Sequence, residues 1–174
     1  MRKGLAIVVI LALAAHPALA QGKTKVAPNA GALSALQTCQ TFANGDETAV
    51  DAAISAGWDA YEQDAESPFV HSYGAEREVD GLGWGDLFAL VETYPDRIFG
   101  YCRIDFVEAR GNGKAVIDAI AGLDGFEGEV KAMDGGHYAS LVGGDSLLLA
   151  HWDDAGFVIQ LTTITPKLQP ADGD

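Results

Sequence analysis

The chain has 174 residues with 25 acidic against 11 basic side chains, a formal charge of -14, and 48% hydrophobic residues. A field of that sign opposes sustained binding to nucleic acid or anionic lipid, which leaves cationic partners, divalent metals or plain solubility as its uses. The length suffices for one hydrophobic core, and no internal repeat is visible in the sequence.

Residues 1–20 have the make-up of a secretory signal peptide. Arg2 and Lys3 give a charged start, Leu5 to Ala15 is an apolar run too short to span a bilayer, and Ala18-Leu19-Ala20 offers a small-x-small cleavage pattern before Gln21. Cleavage there removes two basic groups and no acidic one, lowering the formal charge of -14 by two further units. The expected product is exported, periplasmic or secreted, with no membrane span once the signal is cut. In that compartment Cys39 and Cys102 favour a disulfide, which by chain entropy contributes on the order of 4 kcal/mol.

Residues 21–33 are polar and aperiodic and read as a flexible leader, followed by a short helical turn over 34–42 that positions Cys39. From Asp46, a plausible N-cap, Val50, Ala53, Ile54 and Trp58 recur at three- and four-residue spacing, with Glu47 and Asp51 near the positive end of the dipole. A helix over 47–58 follows. Between Asp59 and Gly85 the periodicity fades, while Tyr61, Phe69, His71, Tyr73 and Trp84 stand among acidic residues and glycines. That stretch reads as an ordered surface loop with a short strand near 68–73. Its five aromatic and imidazole side chains form the candidate binding surface, with packing against their own domain as the competing explanation.

Phe88 to Phe106 is two apolar runs joined by Tyr94-Pro95-Asp96-Arg97, the chemistry of a tight turn. Leu87, Leu90, Val91 and Tyr94 also fit a helix that Pro95 would stop; the turn residues favour a β-hairpin. In the second arm Ile98, Cys102, Ile104 and Phe106 share one side, and Phe99, Tyr101, Arg103 and Asp105 the other. A helix over 114–123 presents Val116, Ile117, Ile120 and Leu123, ended by Gly122 and Gly125. Strands at 138–142, 146–152 and 157–165 then form a meander through Gly143-Gly144-Asp145 and Asp153-Asp154-Ala155-Gly156. The last strand is partly apolar on both faces, as a central strand is. Pro166 ends it, and 169–174 is a polar tail. The expected class is α+β, one domain over 34–168: an antiparallel sheet of about five strands with helices packed on one face, in the order α-β-β-α-β-β-β.

Three constellations invite chemistry. Gly144-Asp145-Ser146-Leu147 resembles the block that names the GDSL-type hydrolases, which would make Ser146 a nucleophile. The block stands near the end of the chain, no Asp-x-x-His follows, and a turn between strands calls for Gly and Asp on backbone grounds alone. Gly111-Asn112-Gly113-Lys114 between strand and helix suggests a phosphate loop, but Glu108 and Ala115 stand where that motif needs Gly and Ser or Thr, so Asn112 reads as a helix cap. His137, His151, Asp153 and Asp154, with Asp134 nearby, are the candidate metal or acid-base cluster, since antiparallel pairing could bring the two histidines to one end of the sheet. No tight ligand spacing accompanies them. The reading is therefore an exported, acidic binding or accessory domain without an assigned catalytic residue or cofactor, recognising a protein or small ligand through residues 59–85; the alternative is an envelope hydrolase or metal-binding protein built on the two late histidines and their aspartates.

Overall fold

The computed structural model describes residues 28–65 and 67–167, so the expected signal peptide, residues 21–27 and the tail lie outside the described residues. Three helices, α1 (Pro28–Ala43), α2 (Ala49–Ser55) and α3 (Gly113–Ala121), accompany eight strands. The strands are β1 (Asp59–Gln63), β2 (Val70–Val79), β3 (Gly83–Thr93), β4 (Arg97–Val107), β5 (Glu127–Met133), β6 (Gly136–Gly143), β7 (Ser146–Asp153) and β8 (Gly156–Pro166). All pair antiparallel in one sheet of order β1-β2-β3-β4-β8-β7-β6-β5. The sheet is thus two four-stranded meanders, β1 to β4 and β5 to β8, whose last strands meet at the centre.

This corrects the expected class. The described residues are mostly β, with eight strands and three short helices in place of about five strands with helices packed on one face. The additional strands are β1, β2 and β5. The first two occupy most of residues 59–85, where a loop with one short strand near 68–73 was expected; β2 begins in that short strand and runs on to Val79. Their alternation is weak in sequence because the buried positions of β1 and of the middle of β2 are the small residues Ala60 and Ala75, whose apolar signal is faint. β5 has no alternation to read, since all seven of its residues are exposed.

The helices differ from expectation in length and face. α1 begins at Pro28, inside the stretch assigned to the leader, and runs 16 residues rather than one turn. Its buried stripe is Ala32, Ala35, Leu36, Cys39, Phe42 and Ala43, at helical spacing but built mainly from small residues. α2 is shorter than 47–58: Gly57, at φ 89°, turns the chain out of the helix. Ala49, Ala53 and Trp58 are buried there while Ile54 is 52% exposed, so Ile54 does not belong to the inner stripe. Asp46 does not cap the helix; its Oδ1 accepts from the Thr48 amide and hydroxyl, both at 2.8 Å. That pairing holds the Asp46 carboxyl below the usual carboxylate range. In α3, Asn112 Oδ1 does cap, accepting from the Ala115 amide at 3.1 Å, and Val116, Ile117 and Ile120 are buried.

Burial alternates along β3, β4 and β8, as the two-residue period of a pleated strand requires. Leu87 and Ala89, Cys102, Ile104 and Phe106, Leu148 and Ala150, and Phe157, Ile159 and Leu161 face the helices and join them in one core. α1 lies against β2, β3, β4 and β8, α3 against β5, β6 and β7, and α2 against β1. Cys39 of α1 is bonded to Cys102 at the middle of β4, with Cα atoms 5.5 Å apart. Beside it, Gly100 leaves room for the end of α1, because a Cβ there would strike the Ala43 carbonyl. The same carbonyl accepts a buried hydrogen bond from Thr163 Oγ1 at 2.7 Å. One covalent bond and one side-chain bond therefore fix the helix onto the two central strands.

Candidate functional site

The sheet face turned away from the helices is uncovered among the described residues, and the strand registers show what it displays. One row across β1 to β4 reads Asp59, Glu76, Asp86 and Asp105. The next reads Tyr61, Gly74, Phe88 and Arg103, continuing through Gln160 and Leu149 on β8 and β7. A third reads Leu90, Tyr101, Thr162, Leu147 and Val142. Among the described residues, eight of the twelve exposed large apolar side chains stand on this face: Tyr61, Trp84, Phe88, Val107, Met133, Val142, Leu147 and Ile164. Scattered exposed hydrophobics are ordinary; here most of them share one surface.

Local geometry holds the aromatic part of this surface in place. The Tyr61 ring lies across Gly74, where an added Cβ would come within 2.7 Å of the ring carbon Cζ and the hydroxyl. Phe88 leans toward Tyr101 with ring centroids 6.4 Å apart. Trp84 stands at the start of β3, 53% exposed. Tyr61 and Phe88 are thus packed against strand neighbours, while Trp84 stands free of aromatic partners among the described residues; side chains of these types are the kind that anchor protein contacts.

The charges are arranged unevenly. Four carboxylates in one cross-strand row repel one another at the short separations of paired strands. Only Asp105 is compensated within the row's neighbourhood: Arg103 forks onto it with Nε–Oδ2 at 2.7 Å and Nη2–Oδ1 at 2.6 Å. That fork raises the Arg103 pKa further above its ordinary value. Among the described residues no ion pair reaches Asp59, Glu76 or Asp86. Beyond Arg103 the face dips into a shallow trough of about 390 Å³ lined by Arg103, Met133, Tyr138, Leu149, His151, Val158 and Gln160.

The residues singled out from sequence divide between the two faces. Tyr61 and Trp84 lie on the uncovered face. Tyr73 is on the helix side, its ring 5.1 Å from that of Phe42 and stacked on His71. Burial there, and secondarily Glu62, lift its pKa above the usual tyrosine range. His71 Nδ1 meets Glu62 Oε1 at 2.8 Å across β1 and β2. Phe69 is in the β1–β2 connection, beside Thr93, Tyr94, Pro95 and Lys167. The surface residues that sequence reasoning missed, Phe88, Leu147 and Val142, were in the strands it took for framework; their signal was an apolar residue on the outward parity of an otherwise regular strand.

The two late histidines do not converge. His137 pairs with Trp152 and His151 with Tyr138, a one-residue offset that turns them to opposite faces of the sheet. His151 is 3.6 Å from Asp153, but Asp153 Oδ1 accepts from the amides of Ala155 and Gly156 and so serves the turn. Asp154 is exposed in that same turn. Among the described residues no group of three or more His, Cys, Asp or Glu side chains is placed to hold a metal ion. Ser146 opens β7 opposite Gly143 and Thr163, neither of them a base. Among the described residues no helix is long and apolar enough to cross a membrane. Searched against protein-family models, curated proteins and solved structures, the chain matches none.

Proposed function

We propose that this chain is an exported, non-enzymatic binding or accessory domain that engages a polypeptide partner across the uncovered face of its sheet. The observation that carries the reading is the concentration of exposed aromatic and aliphatic side chains on that one face, beside the uncompensated row of Asp59, Glu76 and Asp86. Aromatics supply desolvated contact area, and the carboxylates favour a partner with cationic groups while steering its approach. The signal-like first twenty residues and the Cys39–Cys102 bond support export. This reading moves the recognition surface from a loop over 59–85 to the strands, keeping Tyr61 and Trp84 in it.

The test uses the mature chain against the envelope or culture fraction of its own source cell. A partner retained by the wild type should be lost from a Trp84→Ala/Phe88→Ala variant whose thermal midpoint is nearly unchanged. A large loss of stability in that variant, or undiminished retention, would show that the two rings serve the fold or stand idle.

A further inference from the structure

The edge strand β5 is the second surface that the fold leaves unsatisfied. All seven residues from Glu127 to Met133 are exposed, and among the described residues nothing pairs with its outer side. The two-residue turn Asp134-Gly135 makes Met133 and Gly136 a closing pair. Alternation from there directs the backbone N–H and C=O of Gly128, Val130 and Ala132 outward. Such an edge is a template for another strand unless charge or geometry blunts it.

The charges of β5 select which strand. An antiparallel copy centred on Val130 would set Glu129 against Lys131 of the second copy, and Lys131 against its Glu129. Gly128 would face Ala132, and the two Val130 side chains, each 46% exposed, would meet at the axis. Within one chain Lys131 Nζ already lies 2.7 Å from Glu129 Oε2, so pairing closes two such ion pairs into one alternating cluster of four charges. The opposite edge is unlike this: β1, Asp59-Ala60-Tyr61-Glu62-Gln63, carries acids and no cation, so two copies of β1 would add only like charge.

We propose that two copies of this chain associate through β5, antiparallel about a two-fold axis at Val130, with about six backbone hydrogen bonds across the junction. The product is a continuous sheet of both protomers whose uncovered faces lie side by side, so a bound partner would meet two acidic rows and two aromatic groups. The arrangement is closed, because a two-fold junction uses each β5 edge once.

Sedimentation velocity of the mature chain over a wide concentration range tests this. The wild type should show a monomer–dimer equilibrium. Val130→Pro should weaken it at least about tenfold and leave the thermal midpoint unchanged at a concentration where the wild type is monomeric, since proline removes an outward N–H that the internal ladder does not use. Lys131→Glu and Glu129→Lys should each dissociate the dimer, and the double exchange should restore it, which a merely unfolded variant could not do. A monomer at all concentrations, a dimer indifferent to Val130→Pro, or a charge exchange without rescue would overturn the proposal.

Discussion

The two faces of the sheet are made by the same strands, often by successive residues, yet they have opposite physical characters. On β4, Cys102, Ile104 and Phe106 are buried to 1% exposure or less, while their neighbours Tyr101, Arg103 and Asp105 remain partly open. One face is closed by a helix bonded covalently to its centre. The other gathers most of the exposed large apolar side chains among the described residues and a row of four carboxylates, of which Asp105 alone is in an ion pair. The first holds the buried core, and the second sets like charges side by side, an arrangement expected to cost stability.

Substitutions can sharpen or break that contrast. The largest effect is expected from losing the cross-link: Cys39→Ser/Cys102→Ser should cost on the order of 4 kcal/mol in denaturant unfolding, because a long loop is freed in the unfolded chain. Ile104→Ala, on the same face, should cost about 3 kcal/mol through lost burial and the cavity left behind. On the uncovered face the sign should reverse. Asp86→Lys, set between Glu76 and Asp105, should raise stability by about 0.5 to 1 kcal/mol at low salt and by less at high salt. No gain at low salt would mean that the acidic row is not under strain.

The smallest effect is a pH dependence. Burial lifts the Tyr73 pKa in the folded state, so its contribution is complete below the unfolded tyrosine pKa and is lost as pH rises through the folded one. The wild type should therefore lose thermal midpoint above about pH 10, more steeply than Tyr73→Phe. Parallel melting curves of the two would contradict the assignment of Tyr73 to the covered face.

Legibility in the sequence followed the size of the buried side chains. The hairpin of β3 and β4 and the later strands could be read because Leu87, Ile104, Phe106, Phe157 and Ile159 mark the inward parity with large residues. α1 could not be read at length, because its inner stripe is mostly alanine and cysteine, thin enough to lie over Gly100. β1 and all but the start of β2 were hidden by Ala60 and Ala75, and β5 by having no buried side. The pairing of the two cysteines followed from compartment chemistry, and the structure bears it out. The uncovered face was only half visible: Tyr61 and Trp84 stood out as aromatics in an aperiodic stretch, whereas Phe88 and Leu147 acquire meaning only once the register aligns them. The separation of His137 from His151 turned on a single position of register, which residue types do not set.

The most direct measurement is site-specific photocrosslinking in the source cell, with a photoreactive phenylalanine placed at Phe88 or at Ile54. Both positions are exposed, the first on the uncovered face and the second on α2. The account predicts a discrete polypeptide adduct from position 88 and none from position 54. Equal adducts from both, or an adduct from position 54 alone, would contradict it.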